Sequence, residues 1–520
     1  MHRVLVAAAL TVLTLLTYFK FPGHAYLQQD TQIYVPILEN LWDGSVLRKD
    51  ILVQSPHVAF TLYDETAVAL RKLTGMGFEG VLTLEQLIFR GLGFWGVYLI
   101  ATALGLSPPL ALFATAIWSL GATIVGPAVL TVEYEPVPRG FAVPLLFLAL
   151  GLMARRRYMG AGVAAAAAFL MHPPTIYPFW ALYGAWALRP GRRFLKAFIP
   201  LISAVAILFV AARFQTGVTE TQEFFARITP GVEALQRMRA SYNWISMWWR
   251  SLLPHYLFLF AAAMLACWRL RRFITGEMRL FLIGLPAIGM LSMPLSWLLL
   301  ERMKWALIPQ FQPMRALLFV TALAVLLGAV AGCVAARERR SIEAVAWFAL
   351  VYWVPANGRV PIIGAMTALA CIAVWTSNRW AVAAVAIGAF FMYPLSVKPI
   401  PRLGSPSLTQ LSQWARTSTP KDAVFLFADL AKNGQPGMFR AEALRAVYVD
   451  WKGGGQVNYL PELGEQWWSR WQSAMSAPFN GDVSRYRDLG IDYLIVSPKD
   501  KLAGKVPVYR NPGFLVYRPI

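Results

Sequence analysis

Residues 1–19 read MHRVLVAAALTVLTLLTYF, a basic start followed by an apolar run close to membrane-spanning length. A signal peptide shares this pattern, but no small-residue cleavage site precedes Lys20-Phe21-Pro22, so we interpret the segment as a retained first helix. Over the whole chain of 520 residues, 57% are hydrophobic and 14% are charged, against about 25% charged in a soluble domain. The sequence therefore predicts an α-helical polytopic membrane protein.

About thirteen apolar runs are long enough to cross roughly 30 Å of hydrocarbon. They are 3–21, 86–106, 109–131, 139–154, 158–172, 174–189, 195–213, 251–268, 278–300, 313–335, 341–355, 360–376 and 380–396. The stretch 158–189 is open to two interpretations, one long helix or two short ones. Arginine clusters at both of its ends favour two crossings with a turn at His172-Pro173-Pro174, since both clusters then stay in the cytoplasm.

The net charge of +21 comes from short basic clusters between apolar runs, which is typical of cytoplasmic loops and not of a nucleic-acid surface. The clusters are Arg155 to Arg157, Arg189 to Arg193, Arg269 to Arg272 and Arg337 to Arg340. With the N-terminus inside, the outer side receives 22–85, 132–138, the turn at His172, 214–250, 301–312 and everything after 396. We expect the chain in the cytoplasmic (inner) membrane, although an endoplasmic reticulum membrane suits this charge pattern equally.

Two domains are expected. Residues 1–396 form the transmembrane domain, in which 22–85 is a first outer loop with amphipathic helices lying along the membrane surface. Residues 397–520 form a small extracytoplasmic α/β domain, periplasmic or extracellular, with strands at 423–428, 493–497 and 514–518 and an amphipathic helix at 407–417. Cys267, Cys333 and Cys371 all lie inside apolar segments, so neither a disulfide framework nor a thiolate metal site is indicated.

Unusual polar residues gather in the expected outer segments. Asp30 follows the first helix in YLQQDTQIYVPILENLWDG (26–44). Glu133, Glu135 and Arg139 fall in the short turn TVEYEPVPRG (131–140), and His172 lies at the end of the fifth helix in FLMHPPTIYPFW (169–180). The stretch IPQFQPMRALLF (308–319) adds Gln310, Gln312 and Arg315. Ionisable groups at membrane depth are costly unless they face a cavity, so this set indicates function.

Structural interpretations stand beside the functional ones. Asp30 can cap the helix that starts at Thr31. Glu133 and Glu135 can be solvated loop acids, and His172 can mark a helix end that Pro173 enforces. The arginines can be interfacial anchors.

The functional interpretation rests on the chemistry of the set. A carboxylate can accept the proton of an attacking hydroxyl or bind a divalent cation. Arginine suits a phosphate leaving group, and His172 could donate a hydrogen bond to it. Such a site fits transfer of a group from a phosphorylated lipid carrier.

The chain resembles the GT-C superfamily of polyprenyl-phosphate-dependent glycosyltransferases, and looks closer to poorly characterised bacterial members than to the better-known ones. The shared features are an acid in the first outer loop, a second acid after helix 3, many helices and a C-terminal outer domain. The resemblance implies that Asp30 is the catalytic base, that Glu133 or Glu135 assists through substrate or metal, and that arginines near the outer surface bind the carrier phosphate.

The sequence lacks two motifs of the better-known GT-C members. The first loop reads QQDTQIY (28–34) without the paired acids of the mannosyltransferases, and EQWWSRW (465–471) lacks the WWD signature of oligosaccharyltransferases. A protein acceptor is therefore not supported.

The most distinctive part of the tail is FRAEALRAVYVDWKGGG (439–455). In it Arg440, Arg445 and Lys452, with the glycines 453–455, could bind an anion over the membrane cavity, or could form a turn with solvated charges. The group Trp451, Trp467, Trp468 and Trp471 could stack on sugar rings or fill a core.

These observations predict an inverting glycosyltransferase that moves a sugar from a polyprenyl-phosphate donor to an acceptor outside the membrane. Its partners are the lipid-linked sugar and membrane lipids, with no nucleic acid, and a divalent cation (Mg²⁺ or Mn²⁺) held by Asp30 and Glu133 is a candidate cofactor. The rival is a non-enzymatic transporter, flippase or scaffold for lipid-linked glycans. A transporter would place polar or broken helices near mid-bilayer, whereas the unusual residues here gather at one face.

Overall fold

The computed structural model describes residues 2–54, 61–189, 194–215, 224–356, 359–395 and 402–519. Residues 190–193, which hold most of one predicted arginine cluster, lie outside the described residues. The first ten α-helices are α1 His2–Phe19, α2 Thr31–Trp42, α3 Ile51–Gln54, α4 Tyr63–Thr74, α5 Phe78–Ala103, α6 Pro108–Ser119, α7 Pro138–Ala154, α8 Tyr158–Met171, α9 Pro173–Ala187 and α10 Phe194–Phe214. The others are α11 Pro230–Arg239, α12 Trp249–Arg269, α13 Gly276–Ser296, α14 Ile308–Phe311, α15 Leu317–Arg337, α16 Ser341–Ala356, α17 Val360–Trp375, α18 Arg379–Met392, α19 Pro406–Ser418, α20 Gln435–Ala443 and α21 Pro461–Met475.

The apolar runs of the sequence fold as helices. Among the described residues, five helical stretches are long and apolar enough to cross a membrane by length and composition: Phe78–Ala103, Lys196–Phe214, Trp249–Arg269, Gly276–Arg302 and Ile308–Arg337. Seven shorter apolar helices correspond to α1, α6, α7, α8, α16, α17 and α18. A membrane-helical architecture is therefore present, while the number of crossings stays a prediction. The stretch 158–189 forms two helices that meet at His172, as the flanking arginines indicate.

Two boundaries differ from the sequence prediction. Helix α5 begins at Phe78 and not near residue 86, because Glu79 and Glu85 interrupt the apolar run without interrupting the helix. The run 109–131 is helical only to Ser119 and continues as a short antiparallel hairpin of β1 (Thr123–Ile124) and β2 (Val129–Leu130). Gly121 directly follows the last turn of the helix and has a φ of +76°, a left-handed conformation that ends the helix despite the apolar composition.

Helix α15 forms the centre of the bundle. All but its last residue are buried, and α6, α12, α13 and α16 pack around it. Because a helix of 21 residues is about 31 Å long, α15 spans the bundle from one end to the other. Its N-terminus lies at the end that carries the C-terminal domain, which we call the site end, and its C-terminus lies at the opposite end.

Helix α2 is packed between two parts of the protein, and its predicted position along the membrane surface stays a prediction. Thr31, Gln32, Ile33, Val35, Pro36, Ile37 and Leu38 are buried, since the helix packs against α4 and α5 of the first half of the chain and against α20 of the C-terminal domain. The apolar residues that predicted a membrane-facing side instead join two parts of the protein.

The C-terminal part is an α/β domain built on one five-stranded sheet. Its strands are β3 Val424–Phe427, β4 Ala446–Val447, β5 Tyr493–Val496, β6 Tyr509–Arg510 and β7 Leu515–Tyr517. Their order is β4-β3-β5-β7-β6, with β4, β3 and β5 parallel and the last two pairs antiparallel. The three predicted strands and the helix at 407–417 are confirmed, while β4, β6, α20 and α21 were not predicted. Trp467 and Trp471 are buried in this domain, so they fill a core.

Candidate functional site

Asp30 starts α2 but does not cap it. No capping hydrogen bond comes from its side chain. Its carboxylate instead accepts hydrogen bonds from Arg139 Nη1 at 2.8 Å and from Lys452 Nζ at 2.6 Å. Burial alone would raise the pKa of Asp30, but the charges of Lys452 and Arg139 and their hydrogen bonds hold it well below its usual range. Both carboxylate oxygens of Asp30 are therefore engaged by cations.

The capping role belongs to Glu135. Its side chain accepts hydrogen bonds from the backbone N–H groups of Gln28, Gln29 and Thr31 at 2.9, 2.7 and 3.1 Å and from the Thr31 hydroxyl at 3.0 Å. Burial, and then the nearby charge of Asp30, raises the pKa of Glu135, while these hydrogen bonds oppose the shift. Glu135 is only 2% exposed and does not line the cavity described below. It holds the loop that carries Asp30 in place.

Glu133 lies behind Arg139. Arg139 Nε donates to Glu133 Oε1 at 2.6 Å, so the guanidinium of Arg139 joins the carboxylates of Glu133 and Asp30. Gly140 follows Arg139, and a Cβ there would lie 3.1 Å from Glu133 Cβ, which explains the glycine in this tight turn. Glu133 therefore fixes Arg139 and does not itself line the cavity.

His172 and Arg315 form a second pair at the same end of the bundle. Arg315 Nη1 lies 3.5 Å from His172 Nε2, and His172 Nδ1 lies 2.8 Å from Thr175 Oγ1. Because arginine can only donate, Nε2 is the acceptor and Nδ1 carries the proton, which it donates to Thr175. In this arrangement His172 orients Arg315, and it is not the phosphate donor suggested by the sequence. The Nε of Arg315 is buried and has no hydrogen-bond partner in the described part of the chain.

Gln310 and Gln312 hold the C-terminal domain. Gln312 Nε2 donates to the Tyr459 hydroxyl at 3.0 Å, and Gln310 Nε2 donates to the Tyr459 carbonyl at 3.2 Å. Gln312 is buried and has a φ of +49°, a conformation that costs free energy for a residue other than glycine. Gln312 therefore positions Tyr459, which lines the cavity, and does not reach the cavity itself.

Arg440 lies away from the cavity, contrary to the expectation of an anion-binding surface. Its buried guanidinium contacts Asp50 Oδ2 at 2.7 Å and also pairs with Asp450. Asp450 in turn accepts from the backbone N–H groups of Lys452 and Gly453 at 3.1 and 3.2 Å. Arg440 thus stabilises the turn from which Lys452 reaches Asp30.

Arg445 is also used within the domain. Its Nη2 donates to the carbonyl oxygens of Arg416 and Thr419, both at 2.8 Å. These carbonyls lie around the end of α19, where arginine commonly satisfies free acceptors. The prediction that Arg445 contacts an anion over the cavity does not agree with this position.

The glycine run 453–455 is a packing feature and not an open anion cradle. Gly453 N–H donates to Asp450 and Gly455 N–H donates to the Lys452 carbonyl. A Cβ on Gly454 would lie 2.5 Å from the Trp467 ring and 2.9 Å from Arg239 Nε. Glycine is therefore required where Trp467 and Arg239 approach the backbone.

These elements enclose one cavity of about 480 Å³ between the bundle and the C-terminal domain. Its ionisable lining includes one carboxylate, Asp30, five basic side chains, Arg139, Arg239, Arg315, Lys432 and Lys452, and His172. Tyr34, Tyr242, Tyr459 and Trp451 also line it. Described residues from four of the segments that the charge pattern assigned to the outer side line the cavity: 22–85, the turn at His172, 214–250 and the chain after 396. The compartment that the cavity faces stays a prediction.

Arg239 and Lys432 were not predicted as site residues. Arg239 Nη2 donates to the Trp451 carbonyl at 2.5 Å, and its guanidinium lies 3.9 Å from the centre of the Trp451 ring. Lys432 Nζ lies 5.0 Å from the same ring. Burial lowers the pKa of Arg239 to about 10, which still leaves it charged at neutral pH. The sequence feature that could have pointed to Arg239 is its position as a basic residue on a short helix within the expected outer loop 214–250.

The candidate metal ligands do not fit a divalent cation as they are arranged. Among the described residues, no group of three or more His, Cys, Asp or Glu side chains could hold a metal ion. Asp30 and Glu133 both contact the guanidinium of Arg139, whose positive charge occupies the place between them. A metal requirement stays a prediction from the sequence.

Comparison with known proteins gives a partial family match and several structural neighbours. Residues 407–474 match a family described as a domain of unknown function, DUF6798. No curated protein sequence matches the chain.

The structure is similar to ArnT from Cupriavidus metallidurans in the apo state, with 13% identity, a TM-score of 0.48 and coverage of 99% of this chain and 97% of that one. For ArnT bound to undecaprenyl phosphate the values are 14%, 0.49, 99% and 97%. Arabinofuranosyltransferase AftD from Mycobacteria is 18% identical with a TM-score of 0.45, over 96% of this chain and 35% of that one.

Proposed function

We propose that this chain is an inverting membrane glycosyltransferase that moves a sugar from a polyprenyl-phosphate donor to an acceptor on the outer side of the membrane. The observation that carries the proposal is a single carboxylate, Asp30, held among five basic side chains in a cavity at one end of the helix bundle. This combination provides a proton acceptor together with donors for a phosphate leaving group.

The charges around the cavity leave room for an anion. Arg139 is balanced by Glu133 and Asp30, and Asp30 also balances part of the charge of Lys452. Arg239, Arg315 and Lys432 have no carboxylate partner among the ion pairs of the described residues. A phosphodiester placed in the cavity would receive charge-assisted hydrogen bonds from these donors.

The reaction requires that Asp30 be released from one of its cations. With both oxygens engaged and a low pKa, Asp30 is a weak proton acceptor in the substrate-free arrangement. A bound donor phosphate offers Lys452 a second acceptor, and movement of Lys452 to it frees Asp30 Oδ1. The freed oxygen then accepts a proton from the acceptor hydroxyl.

The bonds then change in one displacement. The acceptor oxygen forms a bond to the anomeric carbon of the sugar while the bond from that carbon to the phosphate oxygen breaks. The electron pair of the broken bond stays on the phosphate, where Arg139, Arg315 and Lys452 stabilise the added charge. Attack opposite the leaving group inverts the anomeric centre.

A reconstituted assay tests the proposal. The full chain in liposomes should release polyprenyl phosphate from at least one member of a panel of polyprenyl-phosphate sugars when envelope lipids and glycans are supplied as acceptors. Asp30→Asn should abolish the release. Asp43→Asn is the matched control, because Asp43 follows the other end of α2, is exposed and accepts from the Ser45 backbone. Release by Asp30→Asn at a rate within about threefold of wild type, or no release from any donor, would overturn the proposal.

A further inference from the structure

A second cavity lies at the opposite end of the bundle, between α12 and α16. It measures about 520 Å³, and we call it the basic groove. Both helices pack on α15 and leave space between them. Ala262 and Ala346 provide the depth of the groove, while Phe258 and Leu350 mark its inner end. These lining residues extend about ten residues along each helix, which corresponds to roughly 15 Å.

The groove is apolar along its length and charged at its mouth. Arg269, the last residue of α12, and Arg340 and Glu343, at the start of α16, form the charged end. Trp268 also lines the groove and is 60% exposed. A tryptophan beside arginines at a helix end is typical of the membrane–water interface.

Positive charge exceeds negative charge at this mouth. Glu338 and Glu343 are shared among Arg269, Arg272 and Arg340. Arg269 contacts both glutamates at 2.5 Å, whereas Arg340 lies 3.5 Å from Glu338 and 3.6 Å from Glu343. Arg340 is also largely exposed, so its guanidinium can turn towards an anion without breaking a short ion pair.

We propose that the basic groove binds an anionic glycerophospholipid, with an acyl chain between α12 and α16 and its phosphate at Arg340. The apolar length fits hydrocarbon, and the charge at the mouth fits a headgroup with net negative charge. A zwitterionic lipid places its acyl chain in the groove equally well, but its headgroup gains less binding free energy from the basic side chains at the mouth. This site is separate from Asp30 and does not depend on the proposed transferase activity.

Binding of defined lipids to the purified full chain in an uncharged detergent tests the proposal. The titrants are phosphatidylglycerol, phosphatidylcholine and glycerol phosphate, and native mass spectrometry counts the bound molecules. Phosphatidylglycerol should bind more tightly than phosphatidylcholine by about fivefold, the effect expected for one favourable basic contact. Glycerol phosphate should not compete, because it has no acyl chain.

Three variants separate the headgroup from the chain. Arg340→Gln should remove the preference for phosphatidylglycerol, and Ala346→Phe should weaken both lipids because its ring fills the groove. Ala346 is exposed, so the larger side chain does not disturb the bundle core. Arg279→Gln is the control, since Arg279 is an exposed basic residue of α13 at the same end and does not line the groove. Equal affinity for the two lipids, an equal loss in Arg279→Gln, unchanged binding in Ala346→Phe, or competition by glycerol phosphate would each overturn the proposal.

Discussion

Replacing Asp30 with asparagine should separate turnover from donor binding. The carboxylate holds Arg139 and Lys452 through two charge-assisted hydrogen bonds of 2.8 and 2.6 Å. Asparagine keeps one acceptor oxygen, so one of these bonds is lost, at a local cost of about 1.5–3 kcal/mol. The same change removes the proton acceptor, which lowers turnover by about 10²–10⁴-fold if Asp30 is the general base.

Donor affinity should change in the other direction. One cation released from residue 30 becomes available to the donor phosphate, so the affinity of Asp30→Asn for the donor should hold or rise, by up to about tenfold. Turnover is measured as polyprenyl phosphate release from proteoliposomes, and affinity by titration of the donor into the detergent-solubilised protein. Turnover within about threefold of wild type would refute the base assignment. A loss of donor affinity equal to the loss of turnover would show that Asp30 organises the cavity and performs no chemistry.

Three further substitutions test the surroundings of Asp30. Lys452→Met removes the larger of the two charges that lower the pKa of Asp30. This pKa should therefore rise, and the acid limb of the pH–rate profile should move to higher pH. An acid limb at the wild-type pH would contradict the pairing of Lys452 with Asp30. Glu135→Gln leaves too few acceptor oxygens for the backbone N–H groups of the loop that carries Asp30. It should lower turnover about tenfold or more, while the affinity for the donor changes little. The release assay and the donor titration measure these two effects. Gly454→Ala should lower the free energy of unfolding by about 1–3 kcal/mol in a thermal unfolding series. Gly455→Ala should be tolerated, because its Cβ would lie 3.9 Å from Arg239. Equal destabilisation by the two substitutions would contradict the packing argument.

The fold was predictable from the sequence where apolar length decides the outcome. Helix α15 follows directly from an uninterrupted apolar run, and the break between α8 and α9 follows from two prolines and flanking arginines. The hairpin after Ser119 was not predictable from hydropathy, because glycines end the helix within an apolar stretch. The packing partners of α2 were not predictable either, since an apolar face does not reveal whether it meets lipid or another part of the protein.

The sequence predicted where the candidate site lies, but not the role of each residue in it. Asp30, Arg139, His172, Arg315 and Lys452 all line the cavity, as expected from a charge pattern that predicts one side of the membrane for all of them. Charge type alone could not distinguish these residues from Glu135 or Arg440. The hydrogen-bond partners of Glu135 and Arg440 lie about 100 and 390 residues away in the sequence, respectively. Such long-range pairs have no local signature, so an acid that lines the cavity and an acid that supports a loop look the same in the sequence.

The buried pair of Asp50 and Arg440 also sets an order of assembly. Asp50 belongs to the first loop and Arg440 to the C-terminal domain, 390 residues later in the chain. At a synthesis rate of about 5–20 residues per second, the first loop exists for roughly 20–80 s before its partner is made. During that interval Asp50 lacks Arg440, whereas Asp30 lacks only Lys452, because Arg139 follows it after 109 residues. A chain that ended before the C-terminal domain would therefore leave Asp50 permanently without its cation, so an unfinished chain would differ from a finished one by an uncompensated acid.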